Sequence, residues 1–124
     1  MRSPRRIAFR AALVAAVVSA SCAAAVARAP VVTSNGVRFT LAHAGAKSVS
    51  VVGNFNDWSA SAHPLARNGS TGMWTATVAL PPGEHLFMFV VDGAQWMVPP
   101  LAEEYADDGF GSRNGVVIVR PRER

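Results

Sequence analysis

The stretch His85-Leu86-Phe87-Met88-Phe89-Val90-Val91-Asp92-Gly93-Ala94-Gln95-Trp96-Met97-Val98 decides the fold class. From Leu86 to Val91 every residue is apolar, several are β-branched or aromatic, and the pattern is that of a strand covered on both faces. Asp92-Gly93 is a tight-turn pair. Gln95 to Val98 then resumes an extended segment until Pro99-Pro100 stops it. Such a unit needs a second layer, because an isolated sheet would leave an apolar face in water.

Outward from this hairpin the same grammar repeats. Val37-Arg38-Phe39-Thr40-Leu41 alternates, placing Val37, Phe39 and Leu41 on one face. Lys47 to Val52 continues with Val49 and Val51 inward. Trp74 to Leu80 alternates again, with Trp74, Ala76, Val78 and Leu80 on the buried side, before Pro81-Pro82-Gly83 breaks the chain. Leu101 to Arg113 reads as an acidic, glycine-containing loop, and Val116 to Val119 closes the domain as a second run apolar on both faces. Six or so short strands in about 90 residues, without a helical period after residue 30, predict an all-β, immunoglobulin-like β-sandwich. In a two-layer sandwich one face of each sheet normally meets solvent. The surplus apolar face of Leu86, Met88 and Val90 therefore needs a cover: a loop, a ligand or a partner.

The N-terminus differs in kind. Arg2, Arg5, Arg6 and Arg10 form a basic head, and Ala11 to Ala27 is an uncharged run of 17 residues ending in Ala25-Val26-Ala27. This is the pattern of a signal peptide over residues 1–27, preceding the sandwich as a helix; an uncleaved anchor is the alternative. Arg5-Arg6 and Cys22 supply only fragments of twin-arginine and lipidation signals. Residues 28–36 are a short linker or a first strand, 37–120 the sandwich and 121–124 a polar tail. The expected location is outside the cytoplasm, periplasmic or secreted, with membrane contact only through the N-terminal segment.

The four N-terminal arginines account for the whole formal charge of +4. Residues 28–124 carry 8 basic and 8 acidic side chains, a balance of zero. The basic composition is thus a targeting feature and gives no support to nucleic-acid binding. Cys22 is the single cysteine and lies in the signal, so the domain must hold together by packing alone.

A search for chemistry returns no catalytic set, metal site or cofactor motif. His43, His63 and His85 lack metal-ligand spacing and read as solvated surface residues. Ser59, Ser61 and Ser70 have no nucleophile-elbow sequence around them. Glu103, Glu104, Asp107 and Asp108 could supply a carboxylate pair for glycoside hydrolysis, but read better as a solvated acidic loop. The expectation is a non-enzyme. Asp57 is expected to stabilise its turn by side-chain to backbone bonds, Gly53 and Gly93 to supply backbone freedom, and Asn114-Gly115 to form a turn.

The tryptophans are more telling. Trp58 ends the turn-forming stretch Gly53-Asn54-Phe55-Asn56-Asp57, and Trp96 follows Asp92-Gly93 and can share a sheet face with Met88. Flat rings held outward can stack on pyranose faces, although on composition alone both read as readily or more so as lids over the core. Trp74, in phase with Ala76 and Val78, belongs to the core.

A longer series is recognisable: Val52-Gly53-Asn54-Phe55-Asn56-Asp57-Trp58, Pro64-Leu65, Gly72-Met73-Trp74 and Leu80-Pro81-Pro82-Gly83-Glu84-His85, then Phe89-Val90-Val91-Asp92-Gly93, Trp96 and Asp108-Gly109-Phe110-Gly111-Ser112-Arg113-Asn114. It resembles the glycogen-binding domain of the AMP-activated kinase beta subunit and the related family 48 carbohydrate-binding modules of starch-branching and debranching enzymes. The resemblance spans Val37 to Val119 and implies the early-set type of immunoglobulin-like sandwich. It implies that Trp58 and Trp96 stack on glucose rings, that Asn114 bonds sugar hydroxyls and that Ser112 keeps the hydroxyl of a common threonine. Phe110 takes the place of an aliphatic residue that pushes into the curved glucan. Met88 departs from the pattern, standing where a lysine bonds sugar hydroxyls, and Pro99 replaces the aspartate usual before Pro100.

The resemblance thus implies a non-catalytic module for α-1,4-glucans such as glycogen, starch or maltodextrin. Two alternatives stay open: an exported protein-interaction module that uses the Leu86/Met88/Val90 face and has lost sugar binding, and an accessory subunit of a separate glucan-active enzyme.

Overall fold

The computed structural model describes residues 27–122. The signal helix expected over residues 1–27 lies outside the described residues except for Ala27. The described chain contains strands and turns and no helix: β1 (Val31–Thr33), β2 (Gly36–Ala42), β3 (Val49–Gly53), β4 (Ala66–Arg67), β5 (Met73–Val78), β6 (Gly83–Val91), β7 (Gln95–Met97), β8 (Glu104–Asp107) and β9 (Arg113–Val119).

Two antiparallel sheets form, one ordered β1-β2-β5-β4 and the other β3-β6-β9-β8, with β7 also paired to β6. The alternation read from the sequence sets the inner faces. Val37 opposes Val78, Phe39 opposes Ala76 and Leu41 opposes Trp74 across the first sheet. From the second sheet Val49, Val51, Phe87, Phe89, Val91, Val117 and Val119 complete the same core. Phe39 and Phe87 meet with ring centroids 5.0 Å apart, and Phe87 meets Phe89 edge-on at 5.8 Å. Each such ring, fully buried, contributes about 1.5–3 kcal/mol. Trp74 is buried as expected, and its Nε1–H donates to the His43 carbonyl at 2.9 Å.

β6 is the central strand that its apolar run predicts. β3 occupies one edge, with Val52 opposite Met88; β9 and β7 share the other, with Leu86 opposite Val116 and Val90 opposite Trp96. Residues 31–33 of the linker form the first strand, β1.

Several expectations need correction. The segment 101–113 is not all loop: β8 forms within it against β9. Asn114-Gly115 makes no turn but lies inside β9. A Cβ on Gly115 would come within 2.7 Å of the Phe87 ring and 2.8 Å of Pro99 Cγ, so this glycine permits close packing. His85 is buried rather than solvated, with Nε2 bonded to the Pro81 carbonyl at 2.7 Å. Gly53 has no positive φ; a Cβ there would collide with the Leu86 carbonyl and the Phe55 ring.

The surplus apolar face is also mostly closed. Val52, Val90 and Val116 point away from the main core, yet they are 0%, 1% and 5% exposed. Val90 is therefore unavailable to a partner, and only Leu86 and Met88 remain half-buried on that side of β6.

Candidate functional site

Directly opposed residues in an antiparallel pair share a face, as do alternate residues along a strand. This rule assembles the outer face of the second sheet. Met88 lies on it opposite Val52, and Trp96 lies on it opposite Val90. Asn114, two residues before Val116, joins them with Ala106 opposite on β8.

Trp96 is 49% exposed while Val90 opposite it is sealed. Half of the indole is therefore held by the protein and half offered to solvent. Its hairpin turns through Asp92 and Gly93, with φ of 54° and 72°, and Ala94 N–H closes on the Val91 carbonyl at 3.2 Å. Both residues are left-handed, as the tight turn requires. Asp92 also anchors the turn: its Oδ1 accepts the backbone N–H of Lys47 and of Ser48. The Lys47 bond first, and the Ser48 bond second, hold the carboxyl below the usual aspartate range.

Asn114 is 9% exposed, yet its amide makes no hydrogen bond among the described residues. No buried side-chain nitrogen or oxygen among them lacks a partner, so the amide atoms must reach solvent. A mostly buried amide with a free polar end is pre-positioned for a ligand hydroxyl.

Phe110 and Ser112 sit on the loop that feeds into Asn114. Phe110 is 94% exposed, a ring almost wholly in water that no packing argument requires. The loop beneath it is nonetheless fixed. Asp108 Oδ1 accepts the N–H of Phe110 at 2.7 Å and of Ser112 at 3.1 Å, and Asp107 Oδ1 accepts the N–H of Gly109 at 2.9 Å. Asp108 N–H donates in turn to the Ser112 carbonyl at 3.1 Å. Pro99, buried against Gly115, has its carbonyl bonded by the Tyr105 hydroxyl at 2.9 Å.

Trp58 arrives from a different element, the loop after β3. That loop is pinned to β6 at Leu86: Asn54 N–H donates to the Leu86 carbonyl at 3.2 Å, and Leu86 N–H donates to Asn54 Oδ1 at 3.0 Å. Trp58 is half-buried and has φ of 58°, next to Asp57 at 55°. A bulky residue in the left-handed region is a true outlier, with a cost of about 1–3 kcal/mol that surrounding structure must hold in place. The side chain bonding the loop backbone is Asn56, not the expected Asp57, which makes no side-chain hydrogen bond among the described residues.

The structure thus brings Met88, Trp96 and Asn114 to one sheet face, leads the Phe110–Ser112 loop into it, and anchors the Trp58 loop at Leu86, two residues from Met88. Asn56 and Asp108, which shape the two loops, were not apparent as site residues from sequence. A concavity of about 370 Å³ lined by Val32, Leu80, Pro82 and Arg122 contains none of these residues. It lies near the Gly83–Val119 end of the sheet, away from the candidate site. No group of three metal-ligating side chains occurs among the described residues.

Comparison with known proteins identifies the family. The family described as the glycogen recognition site of AMP-activated protein kinase matches residues 36–124. A 1,4-alpha-glucan branching enzyme of Mycobacterium ulcerans is 36% identical over 72 residues, covering 58% of this chain and 10% of that enzyme. Its counterpart in Pseudomonas syringae pv. syringae is 39% identical over 73 residues, again 58% of this chain and 10% of the enzyme. The counterpart in Cellvibrio japonicus is 40% identical over 62 residues, 49% of this chain and 8% of the enzyme. The chain spans about a tenth of the length of these curated relatives. With the family match running through both sheets and every residue of the outer face, the chain belongs to the family of the AMP-activated protein kinase glycogen recognition site.

Proposed function

We propose that this chain is a non-catalytic module that binds α-1,4-glucan chains on the outer face of its second sheet. The observation that carries the reading is the pairing of a half-exposed Trp96 with the unpartnered, largely buried amide of Asn114. Trp58 and Trp96 stack on successive glucose rings, Asn114 and Ser112 bond hydroxyls, Phe110 fills the concave side of a curved chain, and Met88 gives apolar floor contact. Family membership supports the ligand class, and the outward exposure of Trp96 and Phe110 suits a polymer laid across a surface.

A shallow surface with few polar anchors binds at roughly micromolar to millimolar strength. The test is affinity electrophoresis in glycogen-containing gels, comparing wild type with Trp58→Ala and Trp96→Ala. Wild type should be retarded, and each variant should lose roughly tenfold in affinity or more. Equal mobility of all three with and without glycogen rejects the reading. Export is part of the proposal and rests on the N-terminal sequence; fractionation with N-terminal sequencing should recover a form beginning near Arg28 outside the cytoplasm.

A further inference from the structure

We infer that Asn56, oriented by His63, is the positioning residue that sets Trp58, an inference that rests on Trp58 belonging to the glucan surface. The Asn56 amide is fully used. Its Oδ1 accepts the Gly53 backbone N–H at 3.0 Å, and its Nδ2 donates to the Val51 carbonyl at 3.0 Å and lies 2.9 Å from His63 Nδ1. Two backbone groups of opposite polarity determine which end of the amide is oxygen, so it cannot be turned over. Nδ2 is therefore the donor toward His63, and His63 Nδ1 must accept. That selects the neutral imidazole carrying its proton on Nε2. A flipped ring would set a C–H against a donor and orphan one amide hydrogen.

The effect of this clamp falls two residues further on. Asn56 N–H and Trp58 N–H both donate to the Gly53 carbonyl, at 3.1 and 3.0 Å, and the Asn56 carbonyl accepts the Ser59 N–H at 3.1 Å. Between these bonds Asp57 and Trp58 are driven to φ of 55° and 58°. Neither has glycine's tolerance of that region, so the pair persists only while its surroundings over-determine it. Those surroundings are few. Phe55 stacks on Phe39 at 5.8 Å and packs at 6.0 Å from the His63 ring, and the His63 carbonyl accepts the Val51 N–H at 3.1 Å. The Asn56 amide is the side-chain link between this packed base and the strained pair. Without it, residues 57 and 58 relax toward negative φ and the indole leaves its direction.

The test uses the full chain, with three variants and two readouts. His63→Phe keeps a ring against Phe55 but removes the acceptor; Asn56→Ala removes the clamp; His63→Gln restores an acceptor. The first readout is sugar-free: the three-bond HN–Hα coupling and Cα shift of Trp58, with the His63 nitrogen shifts, by NMR. The second is retardation by glycogen. Wild type should show a left-handed Trp58 and a His63 protonated on Nε2. His63→Phe and Asn56→Ala should lose the left-handed signature and bind on the order of tenfold more weakly, with His63→Gln recovering part of both. An unchanged Trp58 signature in either variant, or a His63 proton on Nδ1 in wild type, overturns the inference; should Asn56→Ala not fold, His63→Phe decides. If wild type ignores glycogen, the glucan reading fails, while the NMR readout still decides whether Asn56 sets Trp58.

Discussion

Asp92 Oδ1 accepts the backbone N–H of Lys47 at 2.7 Å, joining the turn that presents Trp96 to the loop before β3. Ser48 N–H adds a second bond at 3.1 Å, and Asp92 N–H returns one to the Ser48 carbonyl at 2.9 Å. The ionised carboxylate is the stronger acceptor, so its pKa is lowered in the folded state. The sign follows by linkage: the stabilisation is present above the ordinary aspartate range and is lost as pH falls through the lowered folded value. Thermal melts should therefore show wild type above Asp92→Asn at neutral pH, with the gap closing in acid. A gap independent of pH would contradict the charge-assisted bond.

Replacing Met88 by lysine should tighten glycogen binding. Met88 shares its face with Trp96 and Asn114 and offers no donor. A hydrogen bond from a charged group is worth about 1.5–3 kcal/mol, so Met88→Lys should gain roughly ten- to hundredfold in affinity. Titration by calorimetry checks it, and a weaker-binding lysine variant would place the sugar chain elsewhere.

Asp108 holds the Phe110 loop by two N–H bonds. Asp108→Ala should weaken glycogen retention about three- to tenfold by letting Phe110 roam. Asp108→Asn retains an acceptor and should fall between it and wild type. The melting temperature of both should stay near wild type, since the loop adds little to the core.

Gly115→Ala tests the packing beneath the site. The added methyl would meet the Phe87 ring at 2.7 Å and Pro99 Cγ at 2.8 Å, neither of which can swing clear. Overpacking of this kind costs about 1–3 kcal/mol, measurable as a lower denaturant midpoint with an unchanged slope.

Much of the sandwich was legible because apolar alternation marks half-buried strands directly. Val37, Phe39 and Leu41 face Val78, Ala76 and Trp74 as their spacing requires. β8 was not legible: Glu104-Tyr105-Ala106-Asp107 is a polar edge strand with no apolar period, and only its pairing with β9 makes it a strand. Asn114-Gly115 misled for the opposite reason. Its strong local turn preference is overridden by Phe87 and Pro99, which need the space a side chain would occupy. At the site, Trp58 and Trp96 stood out as large rings near turns, and Phe110 only through the family resemblance. Asn56 and Asp108 did not, since a short polar side chain beside a turn looks the same whether it bonds its own backbone or merely faces water. Asp57 had the right chemistry for that work; its neighbour performs it.

The sealing of Val90 beside Trp96 has a thermodynamic corollary. The sheet beside the indole is already dehydrated before any sugar arrives, so docking at Trp96 strips water only from the exposed half of that residue and from the sugar face laid on it. Most of the apolar area still to be buried belongs to Phe110, so the heat-capacity change of association should come chiefly from that ring and shrink in Phe110→Ala. Such a surface adheres without rearranging, and readily lets go.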